Sequence, residues 1–211
     1  VLWFQAVVPE RAFEVGVAEA NMIGGDAGLS AMGKIPFTHS FTPLATRRCC
    51  DQVTLSVAYA GLNVKMVGSD PGITAELTGG THMSTEDSAI MRNSPGMVVY
   101  EPVDGTQLRA AFPQILAHNG PVYIRLLRKQ AVHIYDESTP FTLGKGNLLR
   151  EGSDVSIFAS GIMVAEALDA AELLQAEGIS AEIIHIPTIK PPDEELVLAS
   201  TARTGCAVTA E

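Results

Sequence analysis

Two groups of residues in this 211-residue chain have the types and spacing that chemistry asks for. The first is Glu19, which closes the mostly apolar run Phe13-Glu14-Val15-Gly16-Val17-Ala18. Such a run predicts a strand, and the carboxyl end of a parallel strand is where these sheets deliver functional groups. Glu19 is equally readable as a first-turn acid of the helix that follows, favoured there by the helix dipole. The second group is the Gly-rich loop from Gly72 to Met83, which carries Gly79-Gly80-Thr81-His82 and runs on to Glu86-Asp87. Loops of that length are common homes for binding groups. A carboxylate and an imidazole can hold a proton, pass it, or hydrogen-bond a hydroxyl or carbonyl oxygen.

Other motifs carry less. Gly24-Gly25-Asp26-Ala27-Gly28 falls inside a predicted helix, not in the strand-turn-helix setting of a nucleotide loop, and is read as close packing of that helix on a neighbour. No P-loop, GxSxG elbow or HExxH string is present. His118, His133 and His185 read as surface or packed residues. Cys49, Cys50 and Cys206 lack disulfide or metal spacing and read as reduced, inert thiols. The 24 acids outnumber the 14 Lys and Arg, for a formal charge of -10, which opposes binding to a phosphate backbone. No run approaches the roughly 18 apolar residues of a membrane span, and no secretory signal opens the chain. A cytoplasmic protein with neither nucleic-acid nor membrane partners is expected. The start at Val1 and the stop just past Cys206-Ala207-Val208 suggest a piece of a longer polypeptide.

The elements that must position these groups alternate in period. Short apolar runs at 13–17, 35–38, 64–68, 97–100 and 122–126 predict strands, and amphipathic runs at 19–31, 43–60, 86–93 and 106–117 predict helices. Residues 133–152, with Pro140, Gly144, Gly146 and Gly152, break the rhythm and read as a linker. Strands at 155–159, 181–186 and 206–209 and helices at 162–176 and 193–202 then resume it. The fold class is α/β: a doubly wound, mostly parallel sheet over residues 1–132, a linker over 133–152, and a second, smaller α/β domain over 153–211.

Four ordered blocks resemble the pyrimidine-binding domain of transketolases: Glu10 to Met22, Ile35 to Phe41, Arg47-Arg48-Cys49-Cys50-Asp51-Gln52, and Gly79-Gly80-Thr81-His82-Met83 through Glu86-Asp87. The similarity continues through Ile90 to Met97 and Glu101-Pro102, and residues 154–211 resemble the start of the transketolase C-terminal domain. The resemblance implies a thiamine diphosphate enzyme moving a two-carbon ketol unit from a ketose to an aldose. In that family a glutamate hydrogen-bonds the aminopyrimidine ring and favours the tautomer that activates the cofactor; Glu19 fits the position. A raised carboxyl pKa in an apolar pocket would help it share that proton. By the same resemblance Phe41, Leu44 and Arg47 belong to the cofactor site, while His82, Asp70, Thr78 and Arg128 face substrate.

Three positions depart from the family pattern. Leu44 stands where many relatives place an aromatic ring, Thr78 replaces an aspartate that contacts sugar hydroxyls, and Asp70 replaces a phosphate-contacting histidine. These changes point away from the usual sugar phosphates, because a carboxylate repels a phosphate. The Gly-Asp-Gly and Asn groups with which relatives hold the diphosphate and its Mg2+ or Ca2+ are missing here, so an N-terminal-half subunit, or a missing upstream part, must supply them. A homodimer or an α2β2 assembly is expected. The alternatives are the beta component of a 2-oxo acid dehydrogenase, against which the Gly-Gly-Thr-His-Met block argues, and a non-catalytic subunit that keeps the fold.

Overall fold

The structure, a computed structural model, describes residues 2–211. They fall into two compact units. The first holds the residues up to Met97 together with Asn119–Ile124, and the second holds Val98–His118 and Arg125–Glu211.

In chain order the first unit opens with α1 (Leu2–Val7) and a 3-10 turn at Pro9–Arg11, followed by α2 (Glu19–Ala31), β1 (Phe37–Phe41) and α3 (Thr42–Ala45). A π-helix (Gln52–Tyr59), β2 (Lys65–Ser69), a 3-10 turn (Ile73–Ala75) and α4 (Asp87–Asn93) complete it. β1 and β2 are parallel, in a register that sets Phe41 opposite Ser69. α2 turns Glu19, Ile23 and Ala27 inward, a one-turn spacing that makes a narrow buried stripe, and packs on the π-helix and on β1. Val53, Val57, Val64, Met66 and Met91 fill the interior of this unit.

The second unit holds β3 (Val98–Tyr100) and α5 (Gly105–Ala117), and β4 (Val122–Leu126) enters it at Arg125. β5 (Asn147–Arg150), β6 (Val155–Ala159), α6 (Met163–Ala176), β7 (Ala181–His185), β8 (Thr188–Lys190), α7 (Glu194–Thr204) and β9 (Ala207–Ala210) follow. Its four-stranded sheet runs β5-β7-β6-β9, with β6 parallel to both β7 and β9 and β5 antiparallel at the edge. α6 packs on it through Val164 and Ala171, in one core with Ile157 and Ile183, and α7 packs on β6. β8 runs antiparallel to β3. The buried pair Arg125 and Glu101 lies 3.0 Å apart, and the Ser160 hydroxyl donates to the same carboxylate at 3.1 Å. This is a mixed α/β protein in two units with parallel-rich sheets.

Several local expectations change. Residues 13–17 form no strand: Gly16 turns the chain at φ 65°, its N–H donates to the Glu14 carboxylate, and Phe13 and Val17 lie exposed. The run 43–60 is two helices, because α3 stops at Thr46, whose hydroxyl bonds back to the Thr42 carbonyl. Gly24, Gly25 and Gly28 are not packed against a neighbour; an added Cβ would meet nothing within 4 Å. Of the cysteines only Cys49 is buried. His185 is packed, fully buried beside Tyr135, whose hydroxyl lies 2.8 Å from Nδ1.

Candidate functional site

The carboxyl ends of β1 and β2 gather the groups singled out from sequence. β1 ends in Ser40 and Phe41; Ser69 ends β2, its carbonyl accepting from the Thr42 hydroxyl at 2.7 Å, and Asp70 follows at once. The loop beyond closes on itself where the Gly72 N–H donates to the Ser84 carbonyl at 2.8 Å. That closure brings His82 edge-on to Phe41, ring centroids 5.0 Å apart at 88°. This is the edge-to-face arrangement two aromatic quadrupoles favour.

Glu19 reaches this place from the first turn of α2, not from a strand. It is buried, and its two oxygens have different partners. Oε2 accepts from Arg48 at 2.5 Å, whereas Oε1 takes only a long 3.4 Å bond from Ser40. Burial pushes its pKa up, but its own backbone N–H, the Arg48 guanidinium and Ser40 outweigh burial, and the net shift is downward from 4.5. The expected raised pKa is thereby corrected: the backbone N–H, the Arg48 guanidinium and Ser40 together favour the ionised carboxylate more than burial disfavours it. The same pair acts on Cys49, whose thiol is pushed up to about 11 by burial and by the Glu19 charge, with Arg48 partly opposing.

The other expected residues divide. Leu44 lies half-buried in α3, its carbonyl accepting from the Cys49 thiol. Arg47 points elsewhere than Glu19: it pairs with Glu86 at 2.6 Å. Asp70 is 1% exposed and holds φ 57°, a conformation rare outside glycine. Thr78 is exposed and donates to the Ala75 carbonyl. The Thr81 hydroxyl lies 2.9 Å from His82 Nδ1. Arg128 lies two residues past β4, exposed, in the second unit. Sequence reasoning missed Arg48 and Ser40 as partners of Glu19. Both stand inside quoted blocks, yet spacing alone does not say which of two adjacent arginines turns inward.

The ionised carboxylate with one weakly engaged oxygen fits an aminopyrimidine ring nitrogen, which presents an N–H when protonated. Phe41 offers a flat apolar surface nearby. Among the described residues no three His, Cys, Asp or Glu gather as metal ligands, and no helix is long and apolar enough to cross a membrane.

Residues 1–132 match the family "Transketolase, pyrimidine binding domain", and residues 144–211 match "Transketolase, C-terminal domain". The chain is 73% identical, over 99% of its length and 65% of the relative's, to the "6-deoxy-6-sulfo-D-fructose transketolase subunit SqwH" of Clostridium sp. (strain MSTE9). It is 45% identical, over 93% of itself and 63% of the relative, to the "Putative transketolase C-terminal section" of Methanocaldococcus jannaschii. The chain thus spans just under two thirds of each of these relatives. Among solved structures, one titled "Split gene transketolase, inactive beta4 tetramer" matches with a TM-score of 0.90 and 41% identity, covering 99% of this chain and 68% of that one. The transketolase of Campylobacter jejuni, 19% identical over 93% of this chain and 31% of that one, shares the fold at a TM-score of 0.81.

Proposed function

Because this chain belongs to the transketolase family, we propose that it is the C-terminal section of a split transketolase. It moves a two-carbon ketol unit from a ketose to an aldose, and its donor is a 6-deoxy-6-sulfo ketose. The observation that carries the reading is the 73% identity, over 99% of this chain, to a subunit named for that donor. The departures at Leu44, Thr78 and Asp70 from the sugar-phosphate pattern agree with it. The 2-oxo acid dehydrogenase alternative is not favoured by these relatives.

When bound, thiamine diphosphate supplies the carbon nucleophile that cleaves the ketose beside its carbonyl. Glu19 accepts a hydrogen bond from the pyrimidine ring through Oε1 and holds the proton at that ring nitrogen. Arg48 keeps the carboxylate ionised and fixes its second oxygen. Phe41 and Leu44 cover the ring and exclude water. With Nδ1 engaged by Thr81, His82 keeps Nε2 for a substrate oxygen. Arg47 acts on the cofactor side through its tie to Glu86. Thr78 meets sugar hydroxyls, and Arg128 is assigned to the anionic end of the sugar by the family resemblance. The domains divide as 1–132, a connection over 133–152, and 153–211. An N-terminal-half subunit contributes the diphosphate site with its Mg2+ or Ca2+, and the assembly holds at least two copies of this chain in the cytoplasm.

The test is ketol transfer from 6-deoxy-6-sulfofructose to an aldose, catalysed by the full-length chain with its partner subunit. Glu19→Gln keeps shape and removes charge; it should lower kcat by at least about 10²-fold, since the loss falls on the step that prepares the nucleophile. Undiminished turnover in that variant would remove Glu19 from the mechanism.

A further inference from the structure

Asp70 is an unusual residue for its place. It follows the last residue of β2, whose register partner is Phe41, and Phe41 packs against His82. It therefore stands at the end of the sheet where the proposed donor is handled. Its left-handed backbone and 1% exposure give it little room to turn away, and the Gly72–Ser84 hydrogen bond pins the chain two residues on.

The charges around it lean one way. Glu19 from α2, Glu86 just before α4 and Asp87 in α4 share this region with Asp70, against Arg47 and Arg48. Arg48 is committed to Glu19 at 2.5 Å and Arg47 to Glu86 at 2.6 Å, while Asp87 accepts from the Tyr123 hydroxyl at 2.9 Å. Lys65 is at the opposite end of β2, its Nζ on the Gly120 carbonyl, and Arg92 is in the last turn of α4. His39 on β1, Glu76 and His82 on the loop, Asp26 on α2, and Cys49, Cys50 and Asp51 between α3 and the π-helix are the other titratable groups here. The described residues of the first unit thus present two engaged arginines and a surplus of acids at this end.

We propose that Asp70 is a specificity-determining residue that selects the donor by charge, admitting a singly charged sulfonate and turning away a doubly charged phosphate ester. The proposal rests on the ketol-transfer reading above. A sulfonate carries one negative charge throughout the working pH range. A phosphate ester carries two above its second pKa, about 6, and repulsion from a fixed carboxylate grows in proportion.

Fructose 6-phosphate and 6-deoxy-6-sulfofructose, offered together to the assembled enzyme, give the test. Competition in one tube cancels every pH effect that acts on both donors alike. The wild-type ratio of kcat/KM, phosphate over sulfonate, should rise several-fold between pH 7.5 and 5.5 as the phosphate takes up its second proton. Asp70→Asn keeps the shape and tolerates the left-handed backbone; it should raise the ratio at pH 7.5 about tenfold or more and flatten its pH dependence. Transfer from both donors at a ratio that neither pH nor Asp70→Asn moves would overturn the role of Asp70 and leave the functional reading standing. No transfer from either donor would overturn the functional reading and this proposal with it.

Discussion

Glu19 shows how one side chain is set by two opposing influences. Burial works to protonate it, and the backbone, Arg48 and Ser40 work to ionise it; the second group prevails. Its folded-state pKa lies below 4.5, so its contribution to stability is whole above that value and is lost as pH falls through the folded-state pKa. Arg48→Met removes a main counterweight to burial. The acid limb of the kcat/KM profile should then move to higher pH, and a limb unchanged from wild type would show that Arg48 does not govern the ionisation of Glu19. The residue types at this site were legible: Glu19, Phe41 and His82 stand out by spacing and family likeness. Their partners were not. Arg47 and Arg48 are neighbours in the chain, and only the end of α3 decides that the second turns to Glu19 and the first to Glu86.

At the scale of elements, the periodic signals served well where a segment packs within its own unit. α2, β4 and β6 lie where the pattern of apolar residues puts them, because burial on one face or both is what produces the pattern. The signal fails at 13–17, where apolar residues stay exposed, and at 43–60, where a helical pattern runs through a break made by side-chain to backbone bonds. It also passed over β5, hidden among the prolines and glycines of 133–152, and the three-residue β8. Gly152 is the sharpest case of a glycine needed for space. A Cβ there would lie 2.2 Å from the backbone of Ala181 and Glu182, the start of β7. Strand backbone cannot yield as a side chain can, so Gly152→Ala should cost about 3 kcal/mol and lower Tm by roughly 6–12 °C. A melting curve that overlays wild type would mean that the β5–β6 connection can move away from the start of β7 at no cost.

For the whole molecule, the proposed function assigns this chain the pyrimidine end of the cofactor and the sugar, in keeping with relatives that are named subunits and sections. The proposed function makes this chain one half of a shared thiamine diphosphate site. The most direct measurement is native mass spectrometry of the assembly purified from its own cells, reading subunits and bound small molecules together. This chain is expected in at least two copies, with an N-terminal-half partner and one thiamine diphosphate for each copy. An assembly of this chain alone, with no partner and no cofactor, would contradict it.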